Sequence, residues 1–172
     1  MVLEQFRAFV DRLRCARDIA RNEQRQSFAD PGARIARLAR KRLFEQIGAL
    51  FEAHSQIARS VVFDSLFARE RLGSTGLGQG IAIPHGRIKG LKQAMGAFVR
   101  PQQPIPFDAP DGKPVEQVFV LLVPEHATEE HLELLSELAQ MFGERTFREQ
   151  VATAADAAEV HQVFADWQPE PL

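Results

Sequence analysis

The sequence predicts an α/β fold in which helices cover both faces of a β-sheet. Apolar residues recur at helical spacing over most of the chain up to Gly73, whereas short apolar segments of strand length follow from Ile81 onward. One of these segments is apolar at every position from Val118 to Val123, which is typical of a central strand buried on both faces. Helices must therefore flank the sheet on both sides.

Three helices are predicted ahead of the sheet. The first spans residues 5–22, where apolar side chains share one helical face, and a turn follows at 27–32. The second spans about 41–53. For the third, Ser60 is the expected N-cap and Gly73 the residue that closes the last turn.

The predicted strands are joined by turns and followed by helices. A turn at 108–113 precedes the central strand, which Pro124 ends. Thr128 is the expected cap of a helix that extends to Gly143. The predicted strands cover 81–83, 95–99 and 115–123, and two short helices are predicted near 145–152 and 155–166.

The composition is that of one globular domain. The chain has 172 residues, of which 45% are hydrophobic and 26% charged, close to the average for globular proteins. Its apolar runs are shorter than the roughly 20 residues that span a bilayer, and its charged N-terminus does not resemble a secretory signal. We therefore expect a cytoplasmic protein with no membrane insertion. Cys15 is the only cysteine, which excludes an internal disulfide and a cysteine-based zinc cluster.

Charge is unevenly distributed along the chain, although the net charge is only −2. Residues 1–41 hold ten Lys/Arg against five Asp/Glu, and the remainder is acidic. A basic segment can contact nucleic acid, but this one contains no recognisable binding motif. A solvated helix face is the favoured interpretation, and no nucleic-acid partner is predicted.

His85 has the context best suited to chemistry among the five histidines. It follows an apolar strand and Pro84, and Gly86 and Arg87 come next. A side chain at a strand end beside a glycine is held rigidly and can still be reached by a partner. Taken alone, this context still favours an ordinary capped or surface histidine.

Two further residues are predicted to face the interior. His131 lies in the first turn of its helix on the side of Leu134, where free backbone amides favour an anion. A buried neutral histidine bonded to a backbone carbonyl is the alternative for His131. Arg69 lies on the apolar side of its own helix, three residues after Leu66, and an inward guanidinium needs an anionic partner. An ion pair with Glu70 or another carboxylate is the alternative for Arg69.

Two other motifs are rejected on their context. The glycines of TGLGQG are typical of phosphate-binding loops, but a helix precedes them and a strand follows, the reverse of a nucleotide-binding unit. The histidines of EHATEEH stand five residues apart, which does not suit a helical zinc pair. No metal site is predicted.

The run RERLGSTGLGQGIAIPHGR at 69–87 resembles the signature of nitrogen-regulatory IIA proteins of the phosphotransferase system, relatives of the mannitol and fructose IIA domains. The similarity extends through KRLFEQIGALFE, PIPFDAPDGKPV, FVLLVPE and HLELLSELA. It implies a mixed β-sheet flanked by helices on both faces, here with an extra N-terminal helix. It also divides the chain into an atypical basic extension at 1–38, a IIA domain at 39–167 and a tail at 168–172.

The resemblance implies a role for each of the residues singled out above. His85 would be the phosphorylated histidine, His131 the second active-site histidine and Arg69 the arginine beside the phosphoryl group, with Ser74 and Thr75 as further donors. The phosphoryl donor would be an HPr-like phosphocarrier, and neither a metal nor a cofactor is required. The expected output is phosphorylation-dependent binding to partner proteins such as transporters or kinases.

Two other functions are compatible with the sequence. The chain could be the IIA component of a fructose- or mannitol-type sugar uptake system, or a binding module in which the histidines are only structural. The N-terminus departs from the family, whose members have a short strand before the helix that begins near Lys41. Alternation of apolar and polar residues at 35–38 allows an edge strand at that position.

Overall fold

The computed structural model describes residues 14–19, 31–126 and 129–168, and side chains from residue 35 onward except that of residue 130. Six strands and five helices lie within these residues. The strands are β1 (Arg14–Ile19), β2 (Gly76–Gly78), β3 (Ile81–Ala82), β4 (His85–Ile88), β5 (Met95–Pro101) and β6 (Gln117–Pro124). The helices are α1 (Pro31–Ser55), α2 (Arg59–Leu72), α3 (Glu129–Gly143), α4 (Arg145–Thr153) and α5 (Ala157–Asp166).

The strands form one mixed sheet in the order β1-β5-β6-β3-β2. Strand β4 also pairs with β6, at residues 121–124, further along β6 than the two residues that pair with β3. Strand β6 runs antiparallel to β5 and parallel to β3 and β4. Strand β1 is parallel to β5, and β2 is antiparallel to β3. The predicted mixed sheet is therefore confirmed.

Strand β6 is the central strand and is buried on both faces, as predicted. Because side chains alternate along a strand, Phe119 and Leu121 pack with the core of α3, α4 and α5, whereas Val118 and Val120 pack with that of α1 and α2. The two cores place helices on both sides of the sheet, which confirms the predicted layers. The second core brings α2 against β4, where His85 begins.

The predicted N-terminal helix at 5–22 is wrong where the structure describes it. Arg14–Ile19 forms strand β1, which pairs in parallel with β5 from Ala97 to Pro101. The backbone groups along that edge of β5 bind a neighbouring strand, and this tertiary pairing outweighs a local helical spacing. The remainder of the predicted helix lies outside the described residues.

Helix α1 begins ten residues earlier than predicted. Pro31 is its first residue, so the predicted turn at 27–32 is wrong from Pro31 onward; proline suits the first helical position because its missing amide has no partner there anyway. The edge strand considered at 35–38 is also wrong, because those residues are helical and Ala36 shares the buried face with Leu43. The boundary predicted at 38/39 falls inside α1.

The start of α2 is capped by another helix and not by its own sequence. The predicted N-cap, Ser60, lies inside the helix, and Ala58 occupies the cap position without a side-chain bond. The Glu52 carboxylate of α1 instead accepts a 3.2 Å hydrogen bond from the backbone amide of Arg59. That bond is the largest cause of a lowered pKa at Glu52. A contact between helices therefore replaces the predicted local cap.

Several predicted boundaries agree with the structure. Gly73 follows α2 directly, and its amide donates to the carbonyl of Glu70. In the 108–113 turn the Gly112 amide donates to the carbonyl of Ala109 at 2.9 Å, with Gly112 at a φ of 68°. The short helices near 145–152 and 155–166 are α4 and α5. Thr128 lies outside the described residues.

No helix in the described ranges is both long and apolar enough to cross a membrane.

Candidate functional site

His85 is the first residue of β4 and lies beside the central strand. It pairs in register with Leu121 of β6, and the carbonyl of the preceding Pro84 accepts a 3.0 Å bond from the Leu121 amide. Its side chain is half-buried. The backbone that carries the imidazole is thus held by the most buried strand of the sheet, while part of the ring remains accessible.

Both ring nitrogens of His85 have partners. Nδ1 lies 2.9 Å from the carbonyl oxygen of Ile83. Because a carbonyl can only accept, Nδ1 carries the proton and the lone pair of the neutral ring lies on Nε2. The Nε of Arg69 donates to that Nε2 over 3.1 Å. The two bonds select one tautomer and fix the plane of the ring.

The surroundings of His85 favour its neutral form. Burial lowers its pKa below the ordinary value of 6.5, and the positive charges of Arg69 and His131 lower it further. The hydrogen bond to the Ile83 carbonyl acts in the opposite direction, because it stabilises a protonated Nδ1. The result of these effects is a lowered pKa, so the ring is predominantly unprotonated at pH 7.

Arg69 extends from the last turn of α2 toward His85. Besides its bond to His85, its Nη1 donates to the carbonyl oxygen of Gly73 at 2.9 Å, so the guanidinium is held at two points. The alternative ion pair with Glu70 is not the arrangement found, since the Glu70 carboxylate contacts Thr75 and Arg40. The inward orientation predicted for Arg69 is observed.

His131 lies in the first turn of α3 and is buried, with 9% of its surface exposed. Its Nδ1 is buried and has no hydrogen-bond partner among the described residues, which does not match the alternative of a histidine bonded to a backbone carbonyl. The charge of His131 contributes to the lowered pKa of His85. The structure therefore brings His85, His131 and Arg69 into one neighbourhood.

Ser74 and Thr75 lie in the glycine loop, the segment 73–80 that follows α2, and their hydroxyls already have hydrogen-bond partners. The Ser74 hydroxyl donates to the carbonyl of Phe107, and the Thr75 hydroxyl donates to the Glu70 carboxylate at 2.6 Å. Their predicted contact with a phosphoryl group stays a prediction. In this arrangement the two side chains shape the loop.

Sequence reasoning missed two contributors to the site. The Ile83 carbonyl orients the imidazole, but a backbone acceptor leaves no signal in a sequence. Gly86 allows close approach of β4 to α2, because a Cβ there would lie 2.3 Å from the Ser65 hydroxyl oxygen. The glycine directly after His85 was the available signal for this second contact.

Two other described histidines, His54 and His126, are exposed to solvent. His54 is exposed near the end of α1, and the side chain of His126 is 96% exposed. Within the described residues, no group of three or more His, Cys, Asp or Glu is placed to hold a metal ion. The chemistry available at the site is therefore that of an oriented neutral imidazole with a neighbouring guanidinium and a second histidine.

Comparison with known proteins shows the family of the chain. The family model described as "Phosphoenolpyruvate-dependent sugar phosphotransferase system, EIIA 2" matches residues 36–167, which include His85, His131 and Arg69. The chain belongs to this family. Among EIIA 2 relatives, the nitrogen regulatory protein of Pseudomonas aeruginosa is 44% identical over 131 residues, covering 76% of this chain and 85% of that protein.

Two solved structures of IIA proteins show the same fold. The crystal structure of the nitrogen regulatory protein IIA-Ntr from Neisseria meningitidis matches with a TM-score of 0.76 and 46% identity, over 91% of this chain and 99% of that one. The mannitol IIA of Escherichia coli matches with a TM-score of 0.61 and 19% identity, over 73% of this chain and 89% of that one. The predicted mannitol-type IIA fold is confirmed, and nitrogen regulatory proteins are among the relatives that the sequence matches.

Proposed function

We propose that this EIIA 2 protein accepts a phosphoryl group on Nε2 of His85 from an HPr-like phosphocarrier and regulates partner proteins according to its phosphorylation state. The observation that carries the proposal is the orientation of the His85 ring, with Nδ1 bonded to the Ile83 carbonyl and Nε2 facing the guanidinium of Arg69. This arrangement presents a lone pair where a cation can stabilise the incoming phosphoryl oxygens.

The transfer step exchanges one N–P bond for another. The lone pair on His85 Nε2 attacks the phosphorus of the carrier phosphohistidine, and the bond between phosphorus and the carrier imidazole breaks, with its electron pair returning to that ring. Positive charge develops on the His85 ring, and the Ile83 carbonyl stabilises it by accepting the hydrogen bond from Nδ1. Exchange between two imidazoles is nearly balanced in energy, so the site chiefly orients the reacting groups.

Arg69 must change its partner during this step. In the unphosphorylated protein its Nε donates to the nucleophilic lone pair itself, which has to be released for attack. The guanidinium can then donate to a phosphoryl oxygen while its second bond, to the Gly73 carbonyl, holds it in place. Arg69 thus protects the nucleophile at rest and binds the anion once transfer begins.

His131 is suited to complete the anion site. Its buried Nδ1, which lacks a partner among the described residues, is a polar group whose burial costs free energy until it is hydrogen-bonded. A phosphoryl oxygen at His85 would supply that partner if Nδ1 carries the proton. Donation by Ser74 or Thr75 would first require their bonds to Phe107 and Glu70 to break.

A phosphoryl group on a half-buried histidine changes the surface that partners meet. It adds between one and a half and two negative charges, roughly, which is enough to create or block a protein interface. We propose transporters or kinases as the class of regulated protein and the cytoplasm as the place of action. The similarity to nitrogen regulatory proteins supports this use.

The test is a phosphorylation assay with defined components. Phosphoenolpyruvate labelled with ³²P, enzyme I and an HPr-type carrier should give an acid-labile label on the wild-type protein. His85→Ala should carry none, whereas His54→Ala, which removes an exposed histidine, should label like the wild type. An unlabelled wild type, or full labelling of His85→Ala, would reject the proposal and leave the binding module with structural histidines.

A role in sugar uptake is the second candidate, because the family description names a sugar phosphotransferase system. The regulatory proposal predicts that the phosphorylated protein does not pass its label rapidly to a fructose- or mannitol-type IIB domain. Rapid transfer to such a domain, at a rate comparable to that of a sugar-specific IIA, would favour uptake over regulation.

A further inference from the structure

Glu70 is a buried carboxylate one residue away from Arg69 on α2. Its side chain is only 6% exposed, and burial raises its pKa. Oε2 accepts two hydrogen bonds from Thr75, one from the backbone amide at 3.1 Å and one from the hydroxyl at 2.6 Å. The Glu70 carboxylate therefore fastens the start of the glycine loop to the end of α2.

The fastened loop continues to His85 through backbone hydrogen bonds. The carbonyl of Thr75 accepts a 3.0 Å bond from the amide of Ile83, and the carbonyl of Ile83 accepts from Nδ1 of His85. Arg69, adjacent to Glu70 in the chain, donates to the other nitrogen of the same ring. Glu70 is thus connected to one side of the His85 ring through Thr75 and Ile83, and Arg69, the preceding residue of the same helix, contacts the other side.

Helix α1 also contributes a cation, Arg40, that contacts Glu70. Nη1 of Arg40 lies 3.5 Å from Oε1 of Glu70 and 2.7 Å from the Asp108 carboxylate. Oε1 is buried and has no hydrogen-bond partner among the described residues. A buried carboxylate stabilises a fold less well than apolar packing would, so its presence here calls for a role other than stability.

We propose that Glu70 is a positioning residue for His85, a role that rests on the proposed phosphoryl transfer. By holding Thr75, Glu70 fixes the position of the Ile83 carbonyl beside His85. That position in turn determines the tautomer and the orientation of the imidazole. When this tether is lost, the loop and the Ile83 carbonyl move, and the proton of the neutral ring distributes between Nδ1 and Nε2. A ring protonated on Nε2 has no lone pair there to attack phosphorus.

The experiment compares five variants with the wild type in two measurements. Glu70→Ala removes the tether, and Glu70→Gln keeps an oxygen that can accept both Thr75 bonds. Asp108→Asn is the control, because it weakens the other ion pair of Arg40 without touching Thr75. Thr75→Val removes the hydroxyl at nearly constant size, whereas Thr75→Ser keeps it. The measurements are the rate of phosphoryl acceptance from the carrier and the imidazole ¹⁵N shifts of His85 in the unphosphorylated protein.

Glu70→Ala should accept phosphate roughly ten- to a hundredfold more slowly, because small displacements of a reacting group cost that much, and should show a mixture of His85 tautomers. Glu70→Gln and Asp108→Asn should remain within about threefold of the wild type, since neither removes the acceptor of the Thr75 bonds. If Glu70→Ala does not fold, the same comparison is made between Thr75→Val and Thr75→Ser. Phosphoryl acceptance should then be slower only in Thr75→Val.

The positioning role is overturned, whatever the rate, if the His85 ring stays entirely protonated on Nδ1 in folded Glu70→Ala. Where Glu70→Ala does not fold, the same result in Thr75→Val overturns it. An unchanged rate alongside a mixed tautomer overturns its relevance to transfer. Because the ¹⁵N measurement needs no carrier, it decides whether Glu70 orients the ring even when the wild type accepts no phosphate. Failure of the proposed function and failure of this inference are therefore separate results.

Discussion

Arg69 and His85 face each other between α2 and β4, with 3.1 Å separating Nε of the guanidinium from Nε2 of the imidazole. The same guanidinium bonds to the Gly73 carbonyl at the end of its own helix. One planar cation therefore meets the Nε2 lone pair of the imidazole and stays anchored to the chain, a geometry that a flexible ammonium group cannot reproduce.

We predict that Arg69→Lys keeps the fold but slows phosphoryl acceptance by about a hundredfold, the usual effect of losing one oriented donor to a transferring group. The rate should be measured in single-turnover experiments with phosphorylated carrier in excess. Arg71→Lys is the matched control, because Arg71 is exposed two residues further along the same helix. Equal rates for the two variants would show that the orientation of Arg69 is unimportant.

Phosphoryl acceptance should stop only at a pH below 6.5, the ordinary pKa of histidine, because His85 should stay neutral down to that pH. Burial and the charges of Arg69 and His131 lower the His85 pKa, and the proposed transfer uses the neutral ring as the nucleophile. The ring should therefore stay competent until the pH falls through that lowered value. Arg69→Gln removes one of the lowering charges and should move the midpoint to higher pH. An NMR titration of the His85 ring tests both; a wild-type midpoint at or above 6.5 would contradict the prediction.

Gly86→Ala should disturb both stability and transfer. The added Cβ would lie 2.3 Å from the Ser65 hydroxyl oxygen and 3.1 Å from its Cβ, so the hydroxyl must rotate away from the Arg87 carbonyl or β4 and α2 must separate. We expect a loss of about 1–3 kcal/mol in the free energy of unfolding, as in other overpacked sites, together with slower phosphorylation. Both are measurable by urea denaturation and the labelling assay.

Gly143→Ala provides the control for that substitution, because nothing lies within 4 Å of a Cβ at Gly143. It should change the free energy of unfolding by less than about 0.5 kcal/mol. Adding Ser65→Ala to Gly86→Ala removes the closest contact and should recover part of the loss. A Gly86→Ala variant as stable and as active as the Gly143→Ala variant would mean that the close approach is unimportant.

Glu137 should make the protein less stable as the pH rises from about 4.5 to 7. Burial, with a contribution from the Glu133 charge, raises the Glu137 pKa from 4.5 to about 7, so the folded state binds more protons than the unfolded state in this window. Stability from this group is present below 4.5 and is lost as the pH rises through 7. Its buried Oε2 has no partner among the described residues.

Glu137→Gln should therefore gain more stability relative to the wild type at pH 8 than at pH 5, as measured by the midpoint of urea denaturation at each pH. Because the side chain is partly exposed, solvent screening keeps the effect modest. A difference between variant and wild type that is the same at both pH values would show that Glu137 ionises normally.

Phe164 should be among the most costly core residues to truncate. Its ring packs against Phe98, Phe119, Phe142 and Phe147, with centroid distances of 5.8, 5.4, 6.0 and 5.1 Å. Phe164→Ala should lose about 3–5 kcal/mol of unfolding free energy. At temperatures where it remains folded it should still be phosphorylated, since this core lies across the sheet from α2. A loss below about 1 kcal/mol would show that the aromatic cluster can collapse around the gap.

Local patterns predicted the parts of the fold that local physics controls. The run from Val118 to Val123 is buried on both faces because every side chain in it is apolar. The apolar faces of α2 and α3 likewise carried Arg69 and His131 inward, since residues three or four apart share a helical face. The family signature then supplied the roles expected of these residues.

Where tertiary partners decided the outcome, the local patterns predicted it incorrectly. Arg14–Ile19 has a helical spacing of apolar residues, but it forms a strand because the edge of β5 offers backbone partners. Ser60 is a good cap in isolation, yet Glu52 of the neighbouring helix takes that role. In both cases the deciding group lies far away in the chain.

The sequence by itself determined that this chain is an EIIA-type α/β protein, because helical periodicity, strand composition and the 69–87 signature are local properties, and it predicted His85, His131 and Arg69 as the site residues. Only the tertiary structure decided which nitrogen of His85 holds the proton and what holds the ring in place. That choice depends on the Ile83 carbonyl and on the loop tied to Glu70, and hydrogen-bond geometry of this kind exists only after the chain has folded.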